Sequence, residues 1–398
     1  MLSFENLKIL QSIPTPFYYY DMDLLNQNAD QLQQLAGNNG IKVYYAVKAN
    51  NNIPIMELLS ARRFGADCVS ASEINRAIEA GFSPSDIVYA GVGKTDDEIV
   101  FALKNNIARF NCESIHELQV LDEIAGQMGK TATIALRINP DHDAQTHEKI
   151  TTGTRFNKFG IPMNEINLAI EKLKDLKKIG FDGLHFHIGS QITNMQIFTG
   201  LTEKVNSIQK IFIDAGLHPL SINLGGGLGV DYEHPDANQI PDYNTYFDSI
   251  TKKLEIRYDQ ELSIEPGRSV VAGCGSLISK VLYLKNSEDA DFAIVDAGMN
   301  DLMRPALYGA RHAIQKLSGI GKKKNYHVVG PICESSDIFS KNIQLPELER
   351  GDYLAIRTAG AYGEVMASGY NLRQLPKAVY STDFKISEFD KKHFSISI

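Results

Sequence analysis

Hydrophobic and polar positions follow one rhythm along the first two-thirds of this chain and another beyond it. From residue 42 onward, short runs rich in β-branched and aromatic residues alternate with amphipathic stretches. Eight runs read as strands: 42–49, 65–70, 87–91, 108–112, 133–139, 183–188, 221–224 and 262–265. Between them, stretches such as 72–80, 96–105, 114–126, 164–179 and 195–215 repeat apolar residues at helical spacings. Alternation of this kind predicts a parallel sheet, and eight units over about 230 residues match a (β/α)8 barrel of the TIM type. A doubly wound open sheet competes, but no early Gly-x-Gly-x-x-Gly supports it. After about residue 275 the helical stretches stop. Runs at 277–284, 292–295, 327–329, 353–356 and 378–380 read as strands of a mostly β domain, which the early run 17–20 could join. The expected fold class is therefore α/β. Its expected domains are a barrel over 22–275 and a β domain from 1–21 plus 276–398.

Each barrel strand ends in something polar or glycine-rich: Lys48, Ser70, Gly91, Glu113, Arg137, His187 to Ser190, Gly225 to Gly227, and Glu265 to Arg268. Barrels build their active sites at that rim. Lys48 closes the apolar run Val43–Ala49 and has two readings. It is a strand-end lysine reaching solvent, or an amine of lowered pKa that bonds covalently to a carbonyl group.

Composition narrows the classes. The chain has 398 residues, 22% charged and 43% hydrophobic, as in an ordinary globular protein of more than one domain. A formal charge of −8 argues against general nucleic-acid binding. No run approaches the length of a membrane span, and the first residues carry no secretory pattern. Cys68, Cys112, Cys274 and Cys333 are too scattered for a disulfide framework or a zinc knuckle, so a reduced, cytoplasmic enzyme is expected. The patch Lys322-Lys323-Lys324 reads as a solvated loop.

The candidate chemistry lies at the strand ends. The run Gly225-Gly226-Gly227-Leu228-Gly229 can bring backbone N–H groups close to a phosphate, or simply make a tight turn. Glu265 and Arg268 are a carboxylate and a guanidinium near the rim, or a local ion pair. His185 and His187, if both lie on a strand, share a face and could hold a metal. A catalytic metal needs about three protein ligands, and no third one presents itself, so no metal is expected. His187 can instead stack on an aromatic cofactor. A strand-end lysine, a stacking histidine, a phosphate site with Ser190 and a carboxylate are the parts of a pyridoxal phosphate site. An acidic partner keeps the pyridine nitrogen protonated and suits decarboxylation. A cationic partner would suit racemisation better. In the β domain, Cys333 is a core cysteine or a reactive thiol, and Tyr362 between glycines marks a ligand contact or a tight turn. Arg304 and Tyr308 are suited to carboxylate recognition or are ordinary surface residues.

Several segments together resemble one family: Tyr45 to Asn50, His187 to Gln191, Gly225 to Gly227, Glu265 to Arg268, Cys333 to Asp337 and Gly360 to Gly363. They are similar, in order and spacing, to the alanine-racemase-fold pyridoxal phosphate-dependent decarboxylases (the ornithine, lysine and arginine class). Arg137-Ile138-Asn139-Pro140, Thr146-His147, Thr151-Thr152-Gly153, Lys158 to Ile161 and Cys333-Glu334-Ser335 resemble the diaminopimelate decarboxylase branch within it.

The resemblance implies decarboxylation of meso-2,6-diaminoheptanedioate to L-lysine and CO2, the last step of lysine biosynthesis. Decarboxylation of another basic amino acid is the alternative, and a catalytically dead pyridoxal phosphate-binding homologue a more remote one. It also implies that Lys48 carries the cofactor, His187 stacks on it, and Ser190, Gly226, Gly227, Glu265, Gly267, Arg268 and Tyr362 contact it. Arg268, Arg304, Tyr308, Glu334 and Tyr362 would bind substrate, and Cys333 would protonate the α-carbon. A homodimer with active sites shared between subunits is implied as well. One departure is Ser336, where the family pattern has glycine.

Overall fold

The computed structural model describes residues 10–142, 157–287, 290–317 and 321–383. It divides into two compact units. One comprises Asn28–Gly229 with Pro241–Val270, the other Met1–Gln27, Val230–Ile240 and Val271–Ile398.

The first unit is the (β/α)8 barrel. Its eight parallel strands run round the ring in sequence order: Ile41–Ala46, Gly65–Cys68, Ile87–Tyr89, Arg109–Cys112, Ala132–Asn139, Ile179–His185, Ser221–Asn223 and Glu261–Ile264. Pairing of Leu262 with Ile41 and of Ile264 with Val43 closes it. A two-residue strand, Ile161–Pro162, extends the sheet beside Ile138 and Asn139.

Capping residues turn several strand ends into helix starts. The Ser70 and Ser114 hydroxyls accept from the Glu73 and Glu117 amides. Thr95 and Glu98 form a reciprocal capping box. Each satisfies a backbone donor that the helix itself leaves unpaired. Tyr45, Tyr89, Phe186, Phe198, Phe212 and Phe247 are fully buried here. Asn28 cross-links the unit: its Nδ2 donates to the carbonyls of Ser269 (2.9 Å) and Val270 (2.7 Å), and Tyr243 donates to its Oδ1 (3.0 Å).

Two barrel strands differ from the sequence pattern by three residues or more, the others by one or two. The first strand stops at Ala46, and Val47–Ala49 is a single 3-10 turn. The Ala46 amide leaves the ladder to donate to Pro266 O at 3.2 Å, and Asn50 N donates back to Val47 O at 3.1 Å. Apolar content alone does not distinguish such a turn from a strand. The sixth strand begins at Ile179, not 183, and ends at His185, so His187 lies beyond it. Gly180 and Gly183 hide its start in the sequence, although Phe181 stacks on Phe212 with ring centres 5.6 Å apart.

In the second unit six strands follow the order Ile314–Lys316, Tyr353–Ile356, Gly275–Asn286, Asp291–Val295, Lys323–Val329 and Ile338–Pro346. Phe17–Tyr20 pairs antiparallel with Gly275 to Ile278 and parallel with Lys377–Tyr380. Leu10, Phe17, Tyr19, Ile278, Tyr353, Ala355 and Val379 pack together beside this pairing. Lys323 and Lys324 are not in a loop: they open a strand, and Lys324 Nζ lies 3.0 Å from Asp291. That strand buries Tyr326 and Val328 on one face and leaves polar residues between them, the period-2 pattern of a half-covered sheet.

Among the described residues no helix is long and apolar enough to cross a membrane, and no cluster of three metal-ligating side chains occurs.

Candidate active site

A cavity of about 350 Å³ opens in the barrel unit, lined by Lys48, Gly91, Arg137, Phe159, His185, His187 and Glu265 among others. Its lining residues come from six different strand ends, as a barrel rim requires.

Lys48 sits on the 3-10 turn after the first strand, and its Nζ is 2.9 Å from Asp67 Oδ2. Asp67 is wholly buried on the neighbouring strand, where Ala46 pairs with it. Burial pushes its carboxyl up, the Glu265 charge pushes the same way, and the Lys48 ammonium opposes both. Its second oxygen, Oδ1, is buried without a hydrogen-bond partner.

Glu265 follows the eighth strand and is 5% exposed, yet stays charged. Burial pushes its carboxyl up, but His185, through its charge and hydrogen bond, together with the Lys48 charge outweighs that, so it is held below the usual carboxylate range. Its Oε2 bonds His185 Nε2 at 2.9 Å, and its Oε1 accepts from Asn223 (2.8 Å) and Asn111 (3.2 Å). A carboxylate has about four lone-pair sites, so these three contacts leave one for an N–H donor in the cavity.

His185 and His187 therefore do different work. His185 is committed to Glu265, whereas His187 Nδ1 accepts the Gly226 N–H at 3.2 Å. Desolvation, reinforced by the Arg137 and Lys48 cations, holds His187 well below its ordinary value, as a neutral ring.

The glycine run closes the rim beside it. A Cβ on Gly226 would stand 2.3 Å from Glu265 O, so only glycine allows the two strand ends this approach. A Cβ on Gly267 would meet Ala49 Cβ at 2.9 Å, which brings the segment 265–268 against the turn that carries Lys48. Gly227 O accepts from Ile192 N at 2.9 Å, so the runs 189–192 and 225–229 form one ledge. Arg268 lies along it, donating to Ser190 Oγ through Nη2 (2.9 Å) and Nε (3.2 Å). Across the cavity, Arg137 donates to Glu113 Oε1 at 2.6 Å and lies over the Phe159 ring at 4.6 Å. Glu113 also accepts the amides of Gly160 (2.9 Å) and Gly91 (3.3 Å), joining two loops.

These features fit pyridoxal phosphate. The cavity holds an amine, an anionic carboxylate with a lone pair to spare and a neutral ring, and a glycine ledge with a hydroxyl and a guanidinium adjoins that ring through the Gly226 amide. Its side chains are engaged with other partners: His185 with Glu265, His187 with the Gly226 amide, Asp67 with Lys48 and Glu113 with Arg137.

Glu113 and Phe159, expected only as a polar strand end and as part of the segment 158–161, line or brace the site, whereas Asp67, Asn111 and Asn223 take part without having been singled out by sequence. Their signal was a polar side chain inside an apolar strand, as in Gly65-Ala66-Asp67-Cys68 and Ser221-Ile222-Asn223. The sequence pattern at Thr146-His147 and Thr151-Thr152-Gly153 lies outside the described residues.

The remaining candidates belong to the other unit. Cys333 is exposed, and Glu334 Oε1 accepts from the Tyr370 hydroxyl at 2.8 Å. Asp337 holds their loop, its Oδ1 accepting from Met299 N (2.6 Å) and its Oδ2 from Ile332 N (2.7 Å). Ser336 needs no left-handed backbone, so serine replaces the family's glycine without strain. Tyr362 does adopt one, with φ +55°, an uncommon conformation for a bulky residue. Arg304 begins the short helix Arg304–Tyr308, is 5% exposed and lies over the Tyr232 ring at 4.6 Å. Its Nη1 is 2.9 Å from His312 Nε2.

Comparison with known proteins agrees with this chemistry. The family of pyridoxal-dependent decarboxylases, through its pyridoxal binding domain, matches residues 23–272. The chain is 48% identical over 374 residues to a diaminopimelate decarboxylase of Bacteroides thetaiotaomicron, covering 94% of this chain and 97% of that protein. It is 43% identical over 397 residues to one from Helicobacter pylori, covering 98% and 96%. A crystal structure of diaminopimelate decarboxylase from Helicobacter pylori, complexed with L-lysine, superposes with a TM-score of 0.89 at 41% identity, covering 95% of this chain and 94% of that one. The chain belongs to the pyridoxal-dependent decarboxylases and, within them, to the diaminopimelate decarboxylase family.

Proposed function

We propose that this protein is a carboxy-lyase that converts meso-2,6-diaminoheptanedioate to L-lysine and CO2 with pyridoxal phosphate as cofactor. The observation that carries the reading is the pairing, in one cavity, of the Lys48 amine with a buried ionised Glu265. L-Lysine, the product, is also the ligand named for the similar Helicobacter pylori structure.

Lys48 Nζ is the group that would hold the cofactor. Bound there, pyridoxal phosphate supplies an electron sink for the charge left when a carboxylate departs. Glu265 Oε2 would accept the ring N–H, a contact that its negative charge makes strong. His187, neutral and fixed through Nδ1, offers a flat face. Ser190 with the backbone at Gly226, Gly227 and Gly267 would bind the phosphate, joined by Tyr362. When Lys48 Nζ gives up its charge, the buried Asp67 loses its compensating cation, so its carboxyl takes the proton.

Substrate recognition needs cations and an anion, because the end remote from the reaction is zwitterionic. Arg268, Arg304 and Tyr308 would hold its carboxylate, and Glu334 its ammonium, with Tyr362 alongside. Cys333 would deliver a proton from Sγ to the reacting carbon. In the working enzyme, a homodimer, Cys333 and Glu334 of one copy would serve the barrel of the other. A cytoplasmic setting belongs to the same reading.

Purified protein with pyridoxal phosphate is assayed for lysine and CO2 from meso-2,6-diaminoheptanedioate, with ornithine, arginine and lysine as competitors. Preferential turnover of one of those three would replace the substrate assignment.

A further inference from the structure

We propose that His312 is a positioning residue for Arg304: a neutral imidazole, fixed as one tautomer, that aims the guanidinium at the distal carboxylate of the substrate. The inference rests on the reading of Arg304 given above and extends it to a residue outside the recognised pattern.

The tautomer follows from donors and acceptors. Arg304 Nη1 and His312 Nε2 are 2.9 Å apart. A guanidinium only donates and stays protonated in proteins, so Nε2 must accept. The other ring nitrogen, Nδ1, is 2.8 Å from the carbonyl oxygen of Arg357. A carbonyl only accepts, so the ring hydrogen sits on Nδ1. His312 and Arg304 are 4% and 5% exposed, which leaves little room for water to replace either bond.

The surroundings hold this arrangement from several sides. Tyr232 meets His312 edge to face, with ring centres 4.9 Å apart, and presents its own face to Arg304 at 4.6 Å. Arg357, whose carbonyl orients the imidazole, is itself tied through its side chain to Gln315 (2.8 Å) and Asp236 (3.0 Å). Arg304 thus has its plane set by Tyr232 and one donor set by His312. Two such constraints define where the remaining edge of a planar guanidinium points, and bidentate carboxylate binding depends on that direction.

Protonation of His312 would undo the arrangement, placing two donors and two positive charges face to face. Among the described residues, the charged and titratable groups facing His312 include Arg304 and Tyr232, with Glu233, Arg311 and Lys341 lining the same groove and Asp236 reached through Arg357. Acid should therefore weaken binding of the distal carboxylate selectively.

The test compares the holoenzyme with His312→Phe, which keeps a ring but no acceptor, His312→Gln, which keeps an acceptor, and Arg304→Met. Binding of L-lysine, which carries the distal carboxylate, is measured against 1,5-diaminopentane, which lacks it. Loss of a hydrogen bond to a charged group predicts about tenfold weaker L-lysine binding in His312→Phe, with 1,5-diaminopentane changed less than about twofold. His312→Gln should recover most of the loss, and KM for the diamino diacid should rise more than kcat falls. Equal weakening of both ligands by His312→Phe overturns the inference. Weak L-lysine binding in Arg304→Met with normal binding in His312→Phe also overturns it, while sparing the reading of Arg304. Unchanged L-lysine binding in Arg304→Met removes that reading instead. Should a variant fail to fold, the wild-type pH profile decides: L-lysine affinity must fall on acidification while that of 1,5-diaminopentane does not follow it, and parallel profiles contradict the proposal.

Discussion

Lys48 Nζ lies 2.9 Å from Asp67 Oδ2, and the carboxylate it meets has no exposure to solvent. Asp67 favours the charged form of Lys48, and Lys48 that of Asp67, against burial and the repulsion of the Glu265 charge. Asp67→Asn keeps the shape and removes this support. In the cofactor-free protein, the pH midpoint for modification of Lys48 by an amine reagent should move to lower pH, located by mass spectrometry. A midpoint unmoved by the substitution contradicts the coupling.

Cys333 is exposed, and its role as proton donor is separable from cofactor binding. Cys333→Ala should retain the visible absorbance of bound pyridoxal phosphate while turnover falls at least about tenfold, within the range for loss of a general acid. Full activity would remove Cys333 as the donor.

Gly226 stands where a Cβ would meet Glu265 O at 2.3 Å, backbone that cannot swing aside. Gly226→Ala should destabilise the protein by about 1–3 kcal/mol and weaken pyridoxal phosphate binding. Gly93→Ala, at a position with nothing within 4 Å, is the matched control. Thermal unfolding and cofactor titration check both, and equal behaviour of the two variants counts against the close approach.

Glu73 accepts the Val69 amide at 2.7 Å. Burial lifts its carboxyl to about 7, although that amide and the Lys48 charge oppose the rise. The folded state thus binds its proton more tightly than the unfolded chain, whose glutamates titrate near ~4.3. Between those values the folded protein carries more protons, so the contribution of Glu73 to stability falls as pH rises. Glu73→Gln should gain melting temperature relative to wild type at pH 8 and gain little at pH 4. A pH-independent difference would show that Glu73 ionises normally.

The barrel was legible because eight apolar runs, each followed by a helical period and a polar strand end, leave few other arrangements. Boundaries were less so. Lys48 was read as the end of a strand, but a backbone bond from Ala46 to Pro266, distant in sequence, ends that strand early. The same limit explains the histidines. His185 and His187 look like a pair by spacing, yet the strand ends between them and Glu265 takes only one. Asp67, Asn111 and Asn223 stayed hidden because a single polar residue in an apolar strand means little until its partner is known. Strand Ile338–Pro346 was missed because its pattern is interrupted by Ser340, Lys341 and Asn342, with Asn342 at φ +53°.

The measurement closest to the central claim is lysine formation from meso-2,6-diaminoheptanedioate by purified protein with pyridoxal phosphate, run beside Lys48→Ala. Wild type should show the visible absorbance of bound cofactor and release lysine and CO2 in equal amounts, and Lys48→Ala should lose both. Undiminished absorbance and turnover in Lys48→Ala would contradict the account.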